Sequence, residues 1–291
     1  MIILDLNQVM IANIMALYGK HLSASPIEID LFRSTTLNTI RSLKKKFEGK
    51  YGELIVATDG KRSWRKEVFP QYKANRKKTR DTSDIDWSLI FTNLNTVREE
   101  LKDNFPYRVI HVETAEADDI IGTIVKYLST NNTITENVLI LSGDKDFIQL
   151  QKYNSGVKVD QYDPVNKKFI TSDNPVSYMK EHILKGDTGD GVPNFLSPDN
   201  SFVDSIRQKP ITKKNLEQWL SYSNPMDFCS GEMLRNYKRN EMLIDLSNTP
   251  DQIKEKIIED FNGQKGKDRT RIFNYMVKNK LKVLLESINE F

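Results

Sequence analysis

The residues whose types and spacing suggest chemistry are carboxylates. Asp144 and Asp146 follow an apolar run in Leu139-Ile-Leu-Ser-Gly-Asp-Lys-Asp146, Glu116, Asp118 and Asp119 cluster in Glu116-Ala-Asp-Asp119, and Asp187 and Asp190 lie in Lys185-Gly-Asp-Thr-Gly-Asp-Gly-Val-Pro193. Asp5 and Asp59 each close a short apolar run, Ile2-Ile-Leu-Asp5 and Leu54-Ile-Val-Ala-Thr-Asp59. Two carboxylates about 4 Å apart repel by roughly 1 kcal/mol in water and roughly 4 kcal/mol near a protein surface, so such a cluster calls for a cation. Any one of these motifs alone reads equally well as a solvated turn, because Asp and Gly favour turns. Taken together, nine oxygen donors without thiolate or imidazole select the hard cations Mg²⁺ or Mn²⁺ over zinc. They exceed what one ion requires and so suggest two Mg²⁺, with Mn²⁺ able to substitute. A pair of ions about 3.5–4 Å apart suits phosphodiester hydrolysis. The spacing does not fit an EF-hand loop, and no Walker motif, nucleophile elbow or dinucleotide loop competes.

The elements that must position these acids alternate. Strands are expected at 2–6, 54–59, 107–112, 138–142 and 157–162, with helices over 31–47 and 86–102 and a further one whose apolar stripe runs from Ile120 to Leu128, Glu116-Ala-Asp-Asp119 lying in or just before its first turn. If the chain stays extended beyond the fourth strand, Asp144 and Asp146 project the same way. Alternation of this kind predicts an α/β fold, a mostly parallel central sheet flanked by helices. Ligands of such sheets bind beyond the carboxyl ends of the strands, where these acids fall. After Asp173 the pattern becomes helical, roughly 175–185, 213–222, 229–246 and 269–285, and the Pro-, Ser-, Asn- and Asp-rich 194–210 reads as a long loop. The expected division is an α/β domain over 1–180 and a helical domain over 181–291.

The complement to the acids is basic. Between Lys61 and Arg80 there are nine Lys or Arg against the single acid Glu67, with Trp64, Phe69 and Tyr72 interleaved. As a helix, Lys73, Arg76, Lys77 and Arg80 would share one face. The segment reads either as a solvated basic loop or as a gate whose cations grip phosphates while its aromatics stack on unpaired bases. Lys213, Lys214, Lys265, Lys267, Arg269 and Arg271 form weaker clusters that read either as a duplex grip or as ordinary surface charge. Over 291 residues, 43 basic and 40 acidic side chains nearly cancel, so charge informs only through its distribution. The single Cys229 excludes an internal disulfide and suits a reducing cytoplasm. His21, His111 and His182 have no ligand spacing and are assigned structural roles. No stretch approaches the roughly 20 apolar residues of a membrane span, and the broken run Ile2 to Leu4 is no signal peptide.

At this point the chain resembles the 5′ nucleases, the family of flap endonucleases and of the 5′-nuclease domain of bacterial DNA polymerase I. Glu-Ala-Asp-Asp at 116–119, Ser-Gly-Asp-Lys-Asp-Phe at 142–147 and Gly-Asp-Thr-Gly-Asp-Gly-Val-Pro at 186–193 match its metal motifs in order and spacing. Asp5 and Asp59 match its earlier strand-end acids, and Arg65 with Tyr72-Lys-Ala-Asn-Arg76 resembles its basic gateway. The resemblance implies a PIN-like, resolvase-like core over 1–180 with a basic helical gateway at about 61–85, and a helical DNA-binding domain over 181–291 with a helix-hairpin-helix-like duplex-binding region. Asp5, Asp59, Glu116, Asp118 and Asp144 would surround one metal, Asp146, Asp187 and Asp190 would define another, and Asp119 would serve either. Lys73 and Arg76 would act in catalysis beside Asp144 and Asp146, while Arg62, Arg65, Tyr72, Lys73, Arg76, Lys77, Arg80, Lys213 and Lys214 would contact nucleic acid.

The implied substrates are DNA with a 5′ flap, nick or end and RNA/DNA hybrids. The implied setting is primer removal in phage lagging-strand replication, by a monomer in the cytoplasm of the bacterial host. Asn194-Phe-Leu-Ser-Pro-Asp-Asn200 departs from the family's glycine-rich helix-hairpin-helix turn, which places the potassium site and that duplex grip in question. The chain starts almost at its first strand, so a single-strand-binding protein or sliding clamp is expected to dock on other surfaces. Two alternatives stay open on the residues alone: a PIN-type ribonuclease, and a non-catalytic replication protein whose acids hold a structural cation.

Overall fold

The computed structural model describes residues 1–19, 27–130, 136–154 and 157–291. His21 lies outside them. Six strands, β1 (Ile2–Asp5), β2 (Leu54–Ala57), β3 (Arg108–Ile110), β4 (Val138–Leu141), β5 (Val159–Asp163) and β6 (Lys168–Ile170), form one sheet in the order β3-β2-β1-β4-β5-β6. The first five run parallel, and the short β6, absent from the sequence reading, adds an antiparallel edge. The chain leaves β1 for β2 and β3 on one side and returns to β4 on the other, so the strand order reverses between β1 and β4. That reversal opens the crevice in which α/β folds bind ligands.

The central strands β2, β1 and β4 are apolar except for Asp5 at the end of β1 because both faces are covered, and their residues divide between two cores with a period of two. Ile2, Leu4, Leu54, Val56, Leu139 and Leu141 face one core. Ile3, Ile55, Ala57, Val138 and Ile140 face the other. The first core is closed by α1 (Leu6–Tyr18), α2 (Ile29–Tyr51) and α5 (Trp87–Asn104), the second by α6 (Ala117–Thr130). The short helices α3 (Arg65–Val68) and α4 (Ala74–Asp81) carry the basic segment. A third core lies beneath α7 (Pro175–Lys185), α8 (Lys213–Ser221) and α9 (Gly231–Ile244).

The stretch after 181 does not build one separate core. Helix α10 (Asp251–Gly263) packs on α6 in the second core, while α11 (Ile272–Lys278), α12 (Lys282–Leu285) and the terminal Phe291 close the first. The single helix expected over 269–285 breaks at Lys280, whose φ of 55° lies outside the helical region. No short hairpin joins α7 to α8: residues 186–212 form a loop held from α9, where Asn240 donates to the carbonyls of Ile183 and Pro193 and Arg239 reaches Asp199 and Pro193. The helix-hairpin-helix-like region expected within 181–291 is therefore not formed between α7 and α8.

Candidate active site

The strand ends deliver the acids as expected. Asp5 is the last residue of β1 and caps α1, accepting from the Gln8 amide at 3.1 Å and from Ser142 Oγ at 3.1 Å. Asp59, beyond β2, accepts from Asn7 Nδ2 and from the Ala117 amide, both at 2.8 Å. After β4 the backbone is extended at Asp144 and then turns. Asp144 caps a 3-10 helix over Lys145–Tyr153 and accepts from the Asp146 amide at 3.0 Å, so a turn, not strand periodicity, brings the two acids together. Asp187 and Asp190 share a tight loop in which Asp187 Oδ1 accepts from the Asp190 amide at 3.0 Å. Gly186 opens this loop with φ 70°, and a Cβ there would fall 2.4 Å from the Val192 carbonyl oxygen.

Asp5, Asp59, Asp118, Asp144, Asp146, Asp187 and Asp190 line one cavity of about 570 Å³ with Lys73, Arg76 and Arg80. Among the described residues Asp5, Asp59, Asp118 and Asp144 form no ion pair. Burial, followed by the charge of Asp59, pushes Asp5 up to about 7. Burial and the charge of Asp144 push Asp146 up to about 7 and hold Asp118 well above the ordinary carboxylate range. Asp59 is raised chiefly by burial. A donor set made almost wholly of carboxylate oxygens and left short of positive charge fits hard divalent cations.

Glu116, expected around the first metal, differs from these acids in that it is already paired. Burial opposes its ionisation, but Lys73 and Arg65 outweigh burial and bring it down to about 2. Its oxygens are occupied by Lys73 Nζ at 2.5 Å, Tyr72 Oη at 2.8 Å and Arg65 Nη1 at 3.0 Å.

Asp119 belongs to the interior, contrary to its expected role as a metal ligand. It is fully buried and accepts from Trp64 Nε1, Arg65 Nη1, Thr249 Oγ1 and the Glu116 amide, which fastens the entry of α6 instead of facing the cavity. Arg65 and Tyr72 are likewise 2% exposed and are not placed to touch nucleic acid. Trp64 and Phe69 are also buried, so none of the interleaved aromatics is free to stack on a base. The acids beneath the segment draw Trp64, Arg65 and Tyr72 inward, Tyr72 Oη sharing its one proton between Asp190 at 2.6 Å and Glu116 at 2.8 Å, while Phe69 packs in the third core.

Lys73 and Arg76 do reach the site. Lys73 precedes α4 with φ 56°, its amide donates to the Asp190 carbonyl at 2.7 Å, and its ammonium lies between Glu116 and Asp190. Arg76 pairs with Asp190 and donates from Nε to the Gly189 carbonyl at 2.9 Å. Arg76 and Arg80, one helical turn apart, both line the cavity, whereas Lys77 is exposed outside it. Arg62 is exposed and 3.5 Å from Glu113, and Lys213 and Lys214 open α8 in solvent.

His182, assigned a structural role from the sequence, stands beside the acids. Its Nδ1 lies 3.2 Å from Asp146 and its Nε2 3.4 Å from Asp187, and the three side chains present donor atoms close enough to share one ion. Burial lowers its pKa, but the bond to Asp187 and the surrounding carboxylates raise it on balance. The sequence signal was its position in the last turn of α7, just ahead of Gly186.

The raised acids give a test without substrate. Between about pH 4 and 7 the folded protein holds protons on Asp5 and Asp146 that the unfolded chain has released, so in chelator their contribution to stability is lost as pH rises through that window. In Asp5→Asn the side-chain oxygen still accepts from Gln8 while the charge is gone. The variant should match the wild type in stability, read from the thermal midpoint, at about pH 4.5 and exceed it at about pH 8, by up to about 4 kcal/mol of unfolding free energy at roughly 1.36 kcal/mol per pKa unit. Equal midpoints at the higher pH would remove Asp5 from the repelling cluster.

A parallel sheet whose strand ends converge on buried carboxylates beneath a basic helix defines a resolvase-like, metal-binding fold. Residues 3–181 match the family model described as 5′-3′ exonuclease, N-terminal resolvase-like domain, and residues 174–291 match that of the C-terminal part of T4 RNase H. The chain belongs to the 5′-3′ exonuclease family. It is 32% identical over 274 residues to ribonuclease H of Enterobacteria phage T4, covering 91% of this chain and 88% of that one. It is 30% identical over 148 residues to DNA polymerase I of Lactococcus lactis, covering 48% of this chain and 16% of that one. Among solved structures, a bacteriophage T5 flap endonuclease in a pseudo-enzyme–product complex with DNA and metal ions shares the fold at a TM-score of 0.62 and 18% identity, covering 99% of this chain and 97% of that one. A T5 5′-exonuclease with bound zinc superposes at 0.57, with 100% and 98% covered.

Proposed function

We propose that this protein is a structure-specific 5′ to 3′ nuclease that hydrolyses RNA primers in RNA/DNA hybrids and 5′ flaps or nicked DNA, using two Mg²⁺ for which Mn²⁺ can substitute. The observation that carries the reading is the cavity in which repelling carboxylates stand opposite Lys73, Arg76 and Arg80. Bound divalent cations would supply acidified water and would stabilise the departing oxygen. Asp5, Asp59, Asp118 and Asp144 would hold one ion; Asp146, Asp187 and Asp190, with His182 beside them, would hold the other.

The chain's own residues do the rest. Lys73 is kept charged by Asp190 and Glu116 against the cost of its burial, so it carries a fixed positive charge to the phosphate. Arg76, half exposed, is free to exchange Asp190 for a phosphate oxygen, and its planar fork suits that geometry. The work fits primer removal in phage replication by a monomer in the host cytoplasm, with single-strand-binding protein and clamp as partners. No described helix is long and apolar enough to cross a membrane.

Single-turnover cleavage of a 5′-labelled flap on nicked duplex, in Mg²⁺ and in chelator, tests the reading. Release of short 5′ fragments or of the whole flap only with the metal supports it, and tight binding without cleavage in Mg²⁺ or Mn²⁺ favours the structural-cation alternative. Lys73→Ala should fold normally and slow the cleavage step about a hundredfold, the usual scale for one electrostatic stabiliser. Undiminished cleavage would take Lys73 out of the mechanism.

A further inference from the structure

The cavity that holds the acids has a second wall of different character. Ile11, Trp87, Phe91 and Leu94 line it with Arg80. Phe91 is 40% exposed although it lies on α5, whose neighbouring Ile90 and Leu94 are buried in the first core. Its ring centroid is 6.1 Å from that of Trp87, and the two rings are tilted by 34°. Trp87 is itself fixed, because its Nε1 donates to Ser83 Oγ at 2.8 Å. The Arg80 guanidinium stands 5.4 Å from the Phe91 centroid.

A single exposed Phe needs no explanation. Two aromatic rings lining the same cleft as seven carboxylates and three cations do, because a site for phosphate and metal alone has no use for apolar walls. A nucleotide has both characters: a charged phosphate and a flat base with a π-face. The aromatic residues of the basic segment, Trp64, Phe69 and Tyr72, are committed to the interior and leave the stacking role vacant.

We propose that Trp87 and Phe91 form a stacking subsite for an unpaired nucleobase adjoining the phosphate held by Lys73 and Arg76, with Arg80 bridging base and backbone. The inference rests on the nuclease reading above and adds to it the group that seats the nucleotide. Base–aromatic stacking of this kind accepts any base and contributes about tenfold to a hundredfold in affinity. The subsite would therefore set where along the strand the chain is cut, without selecting sequence.

The test compares flap substrates with natural bases against substrates carrying abasic sites at the nucleotides on either side of the scissile phosphate. Wild-type protein should cleave the natural substrate at least about tenfold faster than the abasic one at subsaturating concentration. Phe91→Ala should lose that ratio and cleave both at the same low rate, and Phe91→Tyr, which keeps the ring, should restore it. Equal slowing of both substrates by Phe91→Ala, or no slowing of either, would overturn the subsite. Binding of a strand carrying 2-aminopurine at the same positions separates the two readings. Quenching that depends on Phe91 in a protein that cleaves nothing would keep the subsite and sink the nuclease. Quenching independent of Phe91 in a protein that cleaves normally would do the reverse.

Discussion

Asp144→Asn should cleave a 5′ flap about a thousandfold more slowly than the wild type while binding it at least as tightly. Asp144 is exposed at the top of β4, and its structural duty is to cap the 3-10 helix by accepting from the Asp146 amide. Asparagine keeps that oxygen, so fold and cavity survive. What disappears is one unit of negative charge facing Asp118 and Asp146, whose pKa values Asp144 helps to raise. Less negative charge means weaker attraction for a divalent cation and weaker repulsion of the incoming phosphate. Binding and cleavage should therefore move in opposite directions, measured by anisotropy in chelator and by single-turnover rate in Mg²⁺. Wild-type cleavage by this variant would show that the metal assignment is wrong.

Arg65→Ala should cost about 3–5 kcal/mol of folding stability, a large part of the 5–15 kcal/mol available to a typical domain. The guanidinium is 2% exposed, and Nη1 stands 3.0 Å from both Glu116 and Asp119 while Nε donates to the Leu243 carbonyl at 2.8 Å. Its removal leaves Asp119, fully buried, with a charge and no cation. Lysine should recover only part of the loss, because one ammonium cannot meet the carboxylates and the distant carbonyl with the geometry of a guanidinium. Urea denaturation measures both variants. An unchanged midpoint with weaker DNA binding would instead return Arg65 to the phosphate-contacting role read from the sequence.

That reversal marks the limit of what the sequence could specify. The alternation of apolar runs with helical stripes determined a parallel sheet, and an acid at the end of each run determined a metal-binding crevice at the carboxyl edge. Both follow from local periodicity, because the repeat of two in a strand and the turn that follows it are written in neighbouring residues. The edge strand β6 and helices α1 and α10 are not among the elements expected from the sequence, although α10 carries Ile253, Ile257 and Phe261 at helical spacing.

Which charged residues stay free was decided only by the tertiary structure. Arg65 and Arg76 look alike in the chain, yet one meets the carbonyl of Leu243, 178 residues away, and the other faces the cavity. Asp118 and Asp119 are adjacent, but a helix turns neighbouring side chains about 100° apart, so one points into the cavity and the other into the interior. His182 and Phe91 joined the site for the same reason. Burial and long-range pairing set the energy of a charge or a ring, and neither is present until the elements have packed.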